Sequence, residues 1–432
     1  MIRLAHVLFV DPGKARAAAL RDRLTAAGYS VAMAATAAEG ATVAGLDQPD
    51  LVLIGDIDGP VALATALKGD PATIDIPILL VADPATPELC AAAVEAKCDG
   101  VLSADCGEEE LLARIRPLGR LATMHAELRV RAAVAQAAGV RARHRVDSAP
   151  GTVPAVLVVG DQVDEVRKVL GTEVALSFAE TLFDAEEALG RRNFDAAIMA
   201  FAQPPASLLG FCAQVRHNPR LFNLPLLLIG AVNAAEAYRA GATRVLEAHA
   251  HPQILRAAVL ILVRRQQLRW TIRAALADSL TDATRDAETG AYNRAFFDDH
   301  LNRRLAIAAA GDRHLSVACF AAPTIDDVRR QFGEDAAIHL TQQVGQWIAG
   351  LLRAEDLVAR IGRHEFGVVL PDTPLAEAEL VMHRIAGVVA YTDFAVREVY
   401  QPVKVWVQVG ATDARPGDDL AILLARARHN FD

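Results

Sequence analysis

The first half of this chain spells one structural unit twice. A short apolar run at residues 6–10 leads into an Ala/Arg/Leu stretch of helical period, then a run at 51–54, another helical stretch, and a run at 78–82. The pattern restarts at Ala155-Val156-Leu157-Val158-Val159-Gly160-Asp161 and continues through 195–200 and 224–229. Strand, helix, strand at this spacing predicts a parallel sheet with helices on both faces. The restart marks an internal repeat of one α/β unit, so the first half should hold two doubly wound parallel-sheet domains.

The 432 residues suffice for about three domains of ~150 residues each. Hydrophobic residues make up 53%, enough for several cores. The formal charge of −9 argues against DNA as the main partner, so an anionic ligand must meet a local arginine cluster. The five cysteines form no CxxC pair and no zinc spacing, and read as buried thiols of a reducing, cytoplasmic compartment. No apolar run reaches ~18 residues, so no membrane insertion is expected. The opening stretch reads as a first strand and not as a signal peptide. The domains are expected at 1–139, 152–270 and 280–432. Residues 108–116 should form the closing helix of the first, running on through 118–133 as a connector. Residues 140–154, rich in Arg, Ser, Gly and Pro, read as an exposed linker. Residues 260–279 read as a helix leading into the third domain.

Both units resemble two-component receiver domains, which have a flavodoxin-like fold. A receiver holds Mg²⁺ and accepts a phosphoryl group on carboxylates at the C-terminal edge of its sheet, with a lysine on the phosphate. The first unit has Asp11 but Pro12 beside it. Gly55 falls at the acceptor position, and Asp56 is the candidate phosphoacceptor one residue on. Ala82 and Ala104 stand where a Thr/Ser and the lysine are expected. The second unit keeps Asp161, but Ala200 and Ala248 take the acceptor and lysine positions, so it reads as a pseudo-receiver. The alternative role for both is a pair of docking or dimerisation modules.

The last third carries two linked motifs. Asp286-Ala287-Glu288-Thr289-Gly290-Ala291-Tyr292-Asn293-Arg294 resembles the DxLTGLxNR opening of GGDEF domains, the nucleotidyl-cyclase-like α/β fold of diguanylate cyclases. At the matching distance, Gly362-Arg363-His364-Glu365-Phe366 stands for Gly-Gly-Asp/Glu-Glu-Phe. The resemblance implies magnesium on GTP, yet Ala321 occupies the strand-end aspartate position. Arg329 and Ile338 occupy the guanine-reading positions, and Arg363 replaces a close-approach glycine. His364 is a poor ligand for magnesium. Arg363 and His364 read as exposed hairpin residues. Only Glu365 survives of the metal set. From this the chain is expected to be no enzyme, with no catalytic residue and no catalytic metal.

The product-binding RxxD element of the family stands unaltered as Arg353 and Asp356, and Arg384 falls where the family adds a third ligand residue. The resemblance implies that these three hold cyclic di-GMP. Arginines grip guanine O6/N7 or phosphate bidentately, and a carboxylate accepts guanine N–H groups. Arg353 is expected to be exposed. Arg360 would support this site or pair locally. Arg303, Arg304 and Arg313 are candidates to complete the pocket. A receiver–receiver–GGDEF order with a silent active site resembles the cyclic di-GMP effectors of this family. It implies a homodimeric adaptor, at a cell pole, that recruits a protein partner such as a small adaptor of the ClpXP pathway in cell-cycle control. Alternatives are a weak or heterodimer-dependent diguanylate cyclase, or a phosphorylation-gated regulator acting by protein binding.

Overall fold

The computed structural model describes residues 3–13, 15–146, 152–230 and 232–431, with the backbone alone at residue 16. Its packing forms two compact units. One comprises Ala5–Ala122 and Asp147–Thr271; the other comprises Met1–Leu4, Thr123–Val146 and Ile272–Asp432.

The first unit contains both repeats. The first repeat runs β1 (His6–Val10), α1 (Ala15–Ala26), β2 (Ser30–Ala34), α2 (Ala37–Asp47), β3 (Leu51–Ile54), α3 (Pro60–Gly69), β4 (Ile78–Val81), α4 (Pro87–Glu95), β5 (Gly100–Leu102) and the start of α5 (Glu108–Ala137). Its sheet has the order β2-β1-β3-β4-β5, all parallel. The second repeat runs β6 (Ala155–Val159), α6 (Val163–Leu170), β7 (Ala175–Ala179), α7 (Leu182–Arg191), β8 (Ala196–Ala200), α8 (Leu208–His217), β9 (Leu226–Ile229), α9 (Ala234–Arg239), β10 (Arg244–Leu246) and much of α10 (Pro252–Leu276). Its order, β7-β6-β8-β9-β10, is the same one re-read. This is the doubly wound, flavodoxin-like arrangement, whose ligand edge lies beyond the strand ends where the winding reverses. The central strands β3, β4 and β8 are buried throughout, which is why they read as unbroken apolar runs.

The second unit has a four-stranded antiparallel sheet, β12-β13-β11-β14. Its elements are α11 (Arg294–Gly311), β11 (Leu315–Ala321), α12 (Thr324–Phe332), α13 (Glu334–Leu351), β12 (Leu357–Arg360), β13 (Glu365–Pro371), α14 (Leu375–Tyr391), β14 (Gln408–Asp413) and α15 (Leu420–His429). Alternation along β11 divides two cores. Ala318 and Phe320 pack with Leu340, Val344, Met382 and Ile385 of α13 and α14. Val317 and Cys319 pack with Phe297, Leu301 and Leu424 of α11 and α15, and with Val134 and Ala135 of α5.

The segment 140–154 is not simply exposed. Val140 and Ala142 pack against the second of these cores, Val146 is buried, and Arg143 pairs with Asp278. Its small apolar residues are too few for a sequence signal but enough to seat the backbone. Residues 147–151 of that segment, like Met1, Ile2 and Asp432, lie outside the described residues.

Candidate functional site

The RxxD element forms the turn between α13 and β12. Leu352 leaves the helix in an extended conformation, and the turn closes by a bond from the Asp356 N–H to the Arg353 carbonyl at 3.2 Å. The Asp356 carboxylate reaches back and accepts the Arg353 N–H at 3.0 Å. Arg131 of α5 holds the same turn from behind, donating to the carbonyls of Ala354, Glu355 and Asp356 at 3.3, 2.9 and 2.9 Å. The peptide group positions of the turn are therefore fixed from both sides.

Asp356 is only 7% exposed, and its Oδ1 meets no partner. Burial, then the adjacent Glu355, push its carboxyl up to about 7, against the lowering pull of Arg353. Burial acts to lower the Arg353 pKa, but the negative charges of Asp356 and Glu377 outweigh it and raise it. The Arg353 guanidinium is not exposed as expected; it is half-buried because it folds onto Glu377 of α14. Arg384 lies two turns further along the same face of α14. It is exposed and makes no hydrogen bond or ion pair with a described residue. The turn and α14 thus bring Arg353, Asp356 and Glu377 together and leave Arg384 open to solvent nearby.

The hairpin 361–364 joins β12 to β13, with the Ile361 and Gly362 N–H groups both donating to the Glu365 carbonyl. Register places Ala321 directly opposite Glu365. A carboxylate at 321 would share a cation with Glu365; alanine cannot. Glu365 accepts from Nε and Nη2 of Arg428, at 2.6 and 2.8 Å. Arg363 is exposed, but His364 is half-buried, its Nδ1 2.7 Å from Asp326 of α12. Asp326 also pairs with Arg329, which reaches Glu334 at 2.9 Å. Arg360 pairs locally with Asp286 and Glu288. Arg304 and Arg313 are likewise committed, to Glu127 and Asp372. Sequence reading missed Glu377 and Arg131. Glu377 was findable, being seven residues before Arg384 on one helix; Arg131 lies 222 positions from Arg353 and gave no signal.

In the first repeat the expected residues do converge. Asp11, Gly55, Asp56, Ala82 and Ala104 line one cavity of about 500 Å³ at the C-terminal sheet edge. Asp11 accepts the N–H groups of Gly13 and Asp56, at 2.9 and 3.0 Å. A Cβ on Gly55 would lie 2.2 Å from the Asp11 carboxylate, so an aspartate at 55 would require the Asp11 side chain to move. In the second repeat, Asp161 accepts the Ala202 N–H.

Residues 283–432 match the family described as "Diguanylate cyclase, GGDEF domain". The response regulator PleD of Caulobacter vibrioides is 28% identical over 447 aligned residues, covering 98% of this chain and 95% of PleD. The diguanylate cyclase TpbB of Pseudomonas aeruginosa is 30% identical over 115 residues, covering 27% of this chain and 26% of TpbB. Among solved structures, the GGDEF domain of DgcB from Caulobacter crescentus, in complex with c-di-GMP, is 23% identical at a TM-score of 0.33, covering 34% of this chain and 85% of that one. The chain has a PleD-like layout: parallel-sheet α/β domains followed by a GGDEF domain, the fold class expected from its sequence. The expectation that it is no enzyme does not stand. The family matched by residues 283–432 is described as one of diguanylate cyclases, and TpbB, matched over part of its length, is a diguanylate cyclase, which points against that expectation. Among the described residues no helix is long and apolar enough to cross a membrane.

Proposed function

We propose that this protein is a cyclic di-GMP-responsive signalling protein that holds its ligand with Arg353, Asp356 and Arg384. The observation that carries the reading is the fixed RxxD turn. It sets a carboxylate with one unpartnered oxygen beside an arginine, next to a helix bearing a second, open arginine. Guanidinium groups suit phosphate oxygens and the guanine Hoogsteen edge, and an ionised carboxylate suits guanine N1–H and N2–H. In this reading the ligand controls recruitment of a protein partner, as in PopA-like effectors, with a small adaptor of the ClpXP pathway as the candidate. Asp56 is the one phosphoacceptor candidate of the first repeat.

The family match supports a second activity, joining of two GTP molecules. We propose that this activity is weak, or needs a subunit with a complete metal site. The support is local: Glu365 faces Ala321 across the sheet and is already held by Arg428. Titration calorimetry with cyclic di-GMP tests the binding reading. Saturable binding lost in Arg353→Ala and Arg384→Ala is the expected result, and unchanged affinity in both variants would overturn it. Turnover of GTP with Mg²⁺, measured alone and mixed with a complete cyclase subunit, tests the second. Ala321→Asp should raise it; full activity of the unmodified chain alone would refute the dependence.

A further inference from the structure

The two repeats also enclose an arginine-lined cavity. Between α5, α8, α9 and α10 lies a cavity of about 480 Å³. Six arginines line it: Arg116, Arg120, Arg216, Arg239, Arg265 and Arg269. Glu109 is the one acid among its described lining residues, and it is 3.8 Å from Arg239. Arg216 is spent on structure, donating to the carbonyls of Gly241, Phe222 and Leu224 at 2.8, 3.0 and 2.7 Å.

Arg265 is different. It is 5% exposed, yet it makes no hydrogen bond or ion pair with a described residue. Its nearest charges include Arg114, Arg216 and Arg269, all of its own sign, with Asp99 opposing them. Burial and these neighbours bring its pKa down to about 10, and burial brings Arg216 to about 10 as well. The next residue, Gln266, is also buried and lines the cavity, and its Oε1 lacks a partner. A buried cation around which like charges outweigh the opposing Asp99 is costly. Filling the space with an anion removes the cost.

We propose that this cleft binds a small anion bearing two or more phosphate groups, with Arg265 as the inner contact, Arg269 and Arg116 alongside, and Arg239 at the rim. Guanidinium forks match phosphate oxygens, and the volume suits a ligand larger than a single phosphate. The Gln266 side chain can turn its amide N–H groups to the same ligand or accept from a protonated oxygen.

The test uses the full chain and inorganic pyrophosphate. Calorimetric titration at low salt should show saturable binding that weakens as salt is raised. Arg265→Gln should weaken it by about tenfold or more, the loss of one charge-assisted contact. Arg239→Ala, at the exposed rim, should weaken it by roughly threefold and serves if the buried variant does not fold. Arg353→Ala should bind pyrophosphate as the parent does. The proposal is overturned if the parent shows no saturable binding at millimolar pyrophosphate, if both cleft variants bind unchanged, or if Arg353→Ala abolishes binding.

Discussion

Asp356 is a carboxylic acid whose folded surroundings resist its ionisation. Its pKa is raised, so the folded chain keeps a proton that the unfolded chain releases near pH 4. Stability therefore falls as pH climbs from about 4 to about 7 and is level above that. Asp356→Asn should flatten this slope in thermal melts from pH 4 to 8, and a slope unchanged from the parent would assign it to another group. If the ionised form accepts guanine N–H groups, cyclic di-GMP binding should tighten between pH 6 and 8, by up to about tenfold per pH unit below the free pKa. Calorimetry in buffers of different ionisation enthalpy at pH 6.5 should then register proton release on binding. Arg353→Ala should cost ~1.5–3 kcal/mol of ligand affinity, roughly tenfold to over a hundredfold. Glu377→Gln should act oppositely. It frees Arg353 from an ion pair worth ~0.2–1 kcal/mol, so affinity should rise by up to about fivefold.

At the scale of elements, the part of α5 from Thr123 onward packs within the GGDEF-containing unit by charge as well as by apolar contact. Glu127 is fully buried and accepts from Arg131 at 2.9 Å, from Arg304 at 2.9 Å and from His300 at 2.9 Å. Burial works to raise the Glu127 pKa, but His300, Arg304 and Arg131 hold it well below the usual carboxylate range. Burial lowers the His300 pKa against the raising pull of Glu127, and its Nε2 faces the Glu127 carboxylate at 2.9 Å. Glu127→Gln would leave two buried guanidinium groups without their carboxylate. The expected loss is ~3–5 kcal/mol, a fall in thermal midpoint of roughly 10 °C. A shift within 2–4 °C, about one kcal/mol, would mean that solvent reaches the cluster.

Over the whole molecule, ligand and stability should be linked unit by unit. Cyclic di-GMP at a hundredfold its Kd should add about 2.7 kcal/mol to the unit containing Arg353. Hydrogen exchange should therefore slow in α13, β12 and α14, and not around the Asp11 cavity. Protection confined to the first-half unit would place the ligand away from the RxxD turn. Both repeats share one sheet order, and neither has a lysine at the position, 104 or 248, where a receiver would hold its phosphate.

Much of the fold was legible because apolar runs buried on both faces leave a plain sequence trace, and because the repeat states it twice. The hairpin motif and the RxxD turn were legible too, since their partners lie within a few residues. What decided their environment came from afar. Capture of Arg353 by Glu377, closure of Glu365 by Arg428 and support of the Asp356 turn by Arg131 depend on side chains 24 to 225 positions away. The charges in a motif are written in the sequence, but desolvation and counter-charges set what they can do, and those exist only once distant helices are packed against the turn.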